Sequence, residues 1–107
     1  MANTFKNALS RNVGTSAVTV YSAPSSKNSI CIELDVCNTT NAGVTVNAYI
    51  TSGGNDYYIV KNAPVPVGGS LQVIAGQKIV LSNTDAIKVV SSSASSLDIV
   101  ASILEDV

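Results

Sequence analysis

Seven acidic residues, six basic residues and no histidine supply the charged chemistry of this 107-residue chain. Without histidine there is no imidazole base, no imidazole metal ligand and no His-dependent triad. Two cysteines are present, Cys31 and Cys37, outside any Cys-x-x-Cys spacing. Both fall in one strand-like segment, which sets them roughly 20 Å apart at about 3.3 Å per residue. A disulfide needs Cα atoms within about 7 Å, so reduced thiols in a reducing compartment are expected.

Glu33 and Asp35 share a strand face about 7 Å apart, within reach of glycosidase-like acid–base work. No further acid, base or aromatic platform accompanies them, so a polar outer face is the preferred reading. Asp56 and Asp85 sit in turn sequences and could offer oxygen to calcium, although turn stabilisation accounts for both. Gly68-Gly69-Ser70 lacks the strand-to-helix setting of a hydrolase nucleophile and reads as a turn. No phosphate-binding glycine pattern occurs, and no catalytic residue, metal or cofactor is expected. Asn38-Thr39-Thr40 matches a glycosylation acceptor only formally, because no signal peptide precedes it. Tyr57-Tyr58 is the best binding surface by residue type. Alternation lets only one of the two enter the core, leaving the other to stack on a sugar or anchor an interface.

Hydrophobic residues make up 46% of the chain and charged residues only 12%, with a net charge of −1. The cations are spread singly, so no basic stripe exists for nucleic acid. Met-Ala-Asn-Thr-Phe-Lys lacks the apolar run of a signal peptide, and no stretch is long enough to span a bilayer. Synthesis in a cytoplasm, without membrane or nucleic-acid partners, is the expectation. A surface so poor in charge suits burial against other subunits better than life as a free monomer.

Apolar residues alternate in short runs separated by turn residues about every eight to twelve positions, the signature of an all-β sandwich or barrel. Strands are expected at Ser16–Ser22, Ser29–Cys37, Val44–Thr51, Tyr57–Lys61, Leu71–Ala75, Lys78–Leu81, Ala86–Ser91 and Leu97–Leu104. In Ser29–Cys37, the alternation puts Ile30, Ile32, Leu34 and Val36 on one face and Cys31, Glu33, Asp35 and Cys37 on the other. The turn-rich Asn38–Gly43 segment joins this strand to the next as a hairpin. Pro64-Val65-Pro66-Val67-Gly68-Gly69-Ser70 punctuates the middle of the chain: prolines withhold donors and glycines permit a tight turn. The predicted architecture is a single antiparallel β-sandwich, jelly-roll or Ig-like, of about eight short strands. Residues 1–12 form an N-terminal arm and residues 13–107 the sandwich.

From Ala63 the residue order resembles small virion proteins of tailed bacteriophages, especially phages of marine bacteria and cyanobacteria. The resembling residues run through Ala63–Leu71, Gly76–Leu81, Asp85–Val89 and Ser95–Glu105. Phe5-Lys6-Asn7, Val13-Gly14-Thr15-Ser16 and Tyr21 join them. The resemblance implies a β-sandwich building block, commonly in symmetric oligomers on the head or tail, with no catalytic residues. Cys31 and Cys37 fall outside the pattern.

The expected function is therefore a non-enzymatic virion protein, a capsid cement or decoration protein assembled in the host cytoplasm. Its partners would be copies of itself, with a trimer favoured, and the major capsid protein or another virion protein. A tail, collar or fibre module is the alternative within the same class. A carbohydrate- or receptor-binding sandwich is the alternative from another class. The expected interface residues are Phe5 in the arm, Tyr57 and Tyr58, and the C-terminal Glu105 and Val107.

Overall fold

The structure, a computed structural model, describes residues 4–105. Eight strands follow one another: β1 (Thr4–Val13), β2 (Val18–Ser22), β3 (Ser29–Asn38), β4 (Val44–Ser52), β5 (Asn55–Val65), β6 (Ser70–Leu81), β7 (Ala86–Ser91) and β8 (Leu97–Glu105). They form two antiparallel four-stranded sheets, ordered β1-β8-β3-β6 and β2-β7-β4-β5. Only β4 and β5 are both consecutive and paired; every other connection crosses from one sheet to the other. That connectivity is a jelly roll, which resolves the choice between jelly-roll and Ig-like sandwiches.

Between the sheets lies an aliphatic core in which Leu34, Ile74, Leu81, Ile87, Leu97, Ile99 and Ile103 are fully buried. Branched aliphatic side chains suit this space because they pack on pleated surfaces at little rotamer cost. The segment expected to be an N-terminal arm is instead a strand, with Ala8 packed against the core. From Thr4 onward it is β1, paired along its length with β8, so the division at residue 13 does not appear among the described residues. Backbone donors in an extended segment beside an open sheet edge are satisfied by pairing with it.

Asn38–Gly43 does not close a hairpin, because β3 and β4 lie in different sheets. The crossing is pinned by Asn38, whose buried amide donates to the Ala42 carbonyl at 2.8 Å and the Val65 carbonyl at 3.0 Å. Its Oδ1 accepts from the Thr40 amide at 2.9 Å and the Thr40 hydroxyl at 2.8 Å. Every bonding position of this side chain used in the crossing is internal, so the formal acceptor sequence has a structural explanation.

Pro66–Gly69 also crosses between sheets, through a turn closed by the Gly69 amide on the Pro66 carbonyl at 3.0 Å. Gly68 takes φ +67° at the third turn position, where glycine is favoured, and a Cβ on Gly69 would meet Pro66 Cγ at 2.9 Å. The strands expected separately at Leu71–Ala75 and Lys78–Leu81 are one irregular strand, β6.

Candidate interaction surfaces

The outer face of the β1-β8-β3-β6 sheet carries apolar rows, set between polar ones such as Asn7 with Ser102, where an isolated domain would be expected to be polar throughout. Strand register aligns Phe5 with Leu104, Leu104 with Ile30, and Ile30 with Val80, a row that crosses all four strands. A shorter parallel row pairs Leu9 with Val100. Phe5 is 74% exposed, Leu9 67%, Val80 62% and Val100 46%. A shallow groove beside β1 is lined by Leu9, Arg11, Asp98 and Val100. Clustered large apolar side chains of this kind mark interaction surfaces, whereas single ones are ordinary.

A β-bulge creates part of this face. Register slips between Cys31 and Glu33, on both neighbours of β3. The extra residue shifts the alternation, so Cys31, Leu34 and Val36 point inward. Ile30 and Ile32, expected in the core, are instead half-exposed on the outer side with Glu33 and Asp35. Cys31 is fully buried, and its thiol is pushed up to about 11 by burial. Cys37 is exposed, and both thiols are free.

Two carboxylates stand inside the apolar face. Asp35 lies opposite Val100 and Gln72, and Glu33 opposite Ser102 and Ala75. Burial, then a hydrogen bond to Glu33 and its negative charge, raise Asp35 to about 6. One Asp35 oxygen, Oδ1, is buried without a hydrogen-bond partner. A carboxyl titrating near neutral pH is also what a general acid requires, and the group beside it is the Glu33 carboxyl. No group of three or more possible metal-ligating side chains occurs among the described residues.

Glu105 serves its own chain. It accepts a short hydrogen bond from the Tyr21 hydroxyl, and Lys6 Nζ lies 3.5 Å from the same oxygen. The Tyr21 hydroxyl is also 2.8 Å from Ser29 Oγ. The hydrogen bond from Tyr21, and after it the Lys6 charge, hold Glu105 below the usual carboxylate range despite partial desolvation. Burial and Glu105 together push Tyr21 up to about 12. This cluster ties β1, β2, β3 and β8 together at one end of the sandwich. Val107 lies outside the described residues.

Tyr57 and Tyr58 occur on the edge strand β5 of the other sheet, and neither enters the core. Tyr58 belongs to an outer row that runs Thr19, Lys88, Tyr49, Tyr58. Its ring centroid is 4.9 Å from that of Tyr49, and Lys61 Nζ lies 5.2 Å from the Tyr58 ring centre. Tyr58 nonetheless stays about half exposed, so its ring is engaged within its own chain but not enclosed. Tyr57 pairs with Ile50 beside the Gly53-Gly54 turn and stays exposed there. Asp56 accepts from Thr51 Oγ1 at 2.8 Å, and Asp85 from the Ser82 amide at 3.0 Å, so both stabilise turns.

Phe5 is thus on the apolar face, while Glu105 and the two tyrosines are elsewhere. Leu9, Ile30, Val80, Val100 and Leu104 were not among the expected interface residues. The spacing Phe5-Asn7-Leu9 carries a strand signal, but Ile30 is misplaced by any reading that lacks the bulge.

No protein-family model matches the chain, and no curated protein matches it in sequence. Among solved structures, a subunit described with Bacillus endospore appendages, a family of disulfide-linked pili, aligns at TM-score 0.58 and 14% identity. The alignment covers 98% of this chain and 86% of that one. A chain of infectious bursal disease virus, Gx strain, aligns at TM-score 0.59 and 14% identity, over 98% of this chain and 29% of the viral one. The present chain therefore spans under a third of the viral protein. At such identities the likeness is one of fold: a jelly-roll β-sandwich shared with a pilus subunit and part of a viral chain.

Proposed function

We propose that this protein is a non-enzymatic structural component of a virion, and that it acts as a cement or decoration protein on the capsid of a tailed phage. The observation that carries the reading is the exposed apolar row of Phe5, Leu104, Ile30 and Val80 across the outer face of the β1-β8-β3-β6 sheet, on a domain whose core is already complete. Such a face gains free energy when covered, and a repeated shell offers many equivalent places to cover it. Adhesion at several points would bridge neighbouring capsid subunits and oppose outward pressure from packaged DNA. The phage-like residue order from Ala63 and the occurrence of this fold in particle and pilus subunits support the reading. The sugar-binding alternative, through Tyr57 or Tyr58, is tested by glycan binding lost in both Tyr→Ala variants.

Add-back tests the proposal. Phage particles assembled without this gene are incubated with the purified chain, then separated from free protein and challenged by heating. Saturable binding to heads with slower DNA release is the expected result. Binding to tails alone would move the protein to the collar or fibre reading, and absence of binding to any particle would overturn the proposal. Phe5→Asp, a change on an exposed side chain of the outer face, should fold but fail to bind.

A further inference from the structure

The four sheet edges are not alike. β2 is five residues long and slips register between Thr19 and Tyr21. β5 contains Pro64 and a left-handed Asn62 at φ 53°, with two register slips against β4. β6 slips twice against β3 and takes φ 56° at Lys78. Proline, bulges and short length are the devices that prevent an edge from recruiting another strand. β1 confines them to its far end: from Thr4 to Ser10 it pairs with β8 in unbroken register, and its slip and left-handed Asn12, at φ 55°, come only after Ser10. Lys6, its one cation before the slip, is turned to Glu105 of its own chain.

β1 also has a pattern that fits itself. Its exposed apolar residues, Phe5 and Leu9, stand symmetrically about Asn7. We propose that β1 pairs antiparallel with β1 of a second copy, about a two-fold axis at Asn7. This register sets Phe5 opposite the second copy's Leu9, Lys6 opposite Ala8 and Thr4 opposite Ser10, so all seven regular residues find partners. A shift by two positions would set Phe5 opposite Arg11 and leave part of the run unpaired. The two sheets become one eight-stranded sheet, and the rows of Phe5 with Leu104 and Leu9 with Val100 continue across the junction. Backbone hydrogen bonds give the contact its direction, and cross-strand apolar pairs fix its register. The pairing deepens the proposed structural role by naming one contact between copies, and it is tested without any particle.

Sedimentation equilibrium of the full chain across a range of concentrations reads the result directly. A species of twice the 11.0 kDa chain mass is expected. Leu9→Lys should weaken it by roughly tenfold to a hundredfold, because a two-fold contact counts each substitution twice. Thr19→Lys, on the outer face of the other sheet, should leave it unchanged. In a Cys37→Ser background, Asn7→Cys should give an oxidised dimer that Thr4→Cys does not. A monomer at all concentrations, a trimer, or a dimer indifferent to Leu9→Lys overturns the pairing. Each of those results would leave particle binding by the single chain open to its own test.

Discussion

Replacing Asp35 with Asn should stabilise the protein at neutral pH, contrary to the usual effect of altering a half-buried polar residue. Ionised Asp35 stands between Val100 and Gln72, has one buried oxygen without a partner and faces the charge of Glu33. The rise from 3.8 to about 6 corresponds to a penalty of about 3 kcal/mol for the charged form. Solvent reaches the half-buried group and screens it, so about 1–2 kcal/mol is expected. Because the folded pKa lies above the unfolded one, the native protein retains a proton that the unfolded chain has released between about pH 4 and 6. Wild-type stability should therefore rise as pH falls through that window, and the advantage of Asp35→Asn should shrink with it. Thermal unfolding near pH 7.5 should show Asp35→Asn about 5–10 °C above wild type, with the two converging near pH 4. An equal or lower midpoint for the variant at pH 7.5, or a constant gap between the two pH values, would refute the reasoning.

Three further outcomes follow from other parts of the fold. Tyr21→Phe removes the hydroxyl that joins Ser29 to Glu105 and should cost about 1–2 kcal/mol in urea unfolding near neutral pH. Since Glu105 has a depressed pKa, its contribution is present above about pH 4.5 and lost as pH falls through the folded value, so the cost of Tyr21→Phe should diminish in acid. Leu34→Ala, at a fully buried site on β3, should cost about 2–5 kcal/mol, and a loss below about 1 kcal/mol would contradict the core described here. A thiol reagent should modify Cys37 in the native protein but reach Cys31 only on unfolding; equal rates would show that Cys31 is not enclosed.

Much of the sandwich was legible because period-two alternation reports burial directly. β3, β4, β7 and β8 emerge nearly complete from their Val, Ile and Leu spacing. Sheet membership was not legible, because the same turn residues that close a hairpin also close a crossing. Asn38 directs the chain across by bonding Val65, a residue distant in sequence that local composition cannot supply. The bulge at Ile32–Glu33 was equally hidden, since it depends on the register of β6 and β8 on either side of β3. That one added residue turns Ile30 outward and places Cys31 in the core. The candidate interface follows from it, which is why Phe5 could be named from sequence while its neighbours Leu104, Ile30 and Val80 could not. β1 was read as an arm because it contributes little to the core beyond Val13, and its alternation has no buried face to report.

The proposed role as a building block of a phage particle is tested most directly by an electron cryomicroscopy map of phage particles carrying the gene. Densities of this fold are expected at symmetry-related positions on the capsid, with the face bearing Phe5, Ile30 and Val80 covered by a neighbour. A map in which every head and tail density is assigned to other chains, with this protein absent from the purified particles, would contradict it.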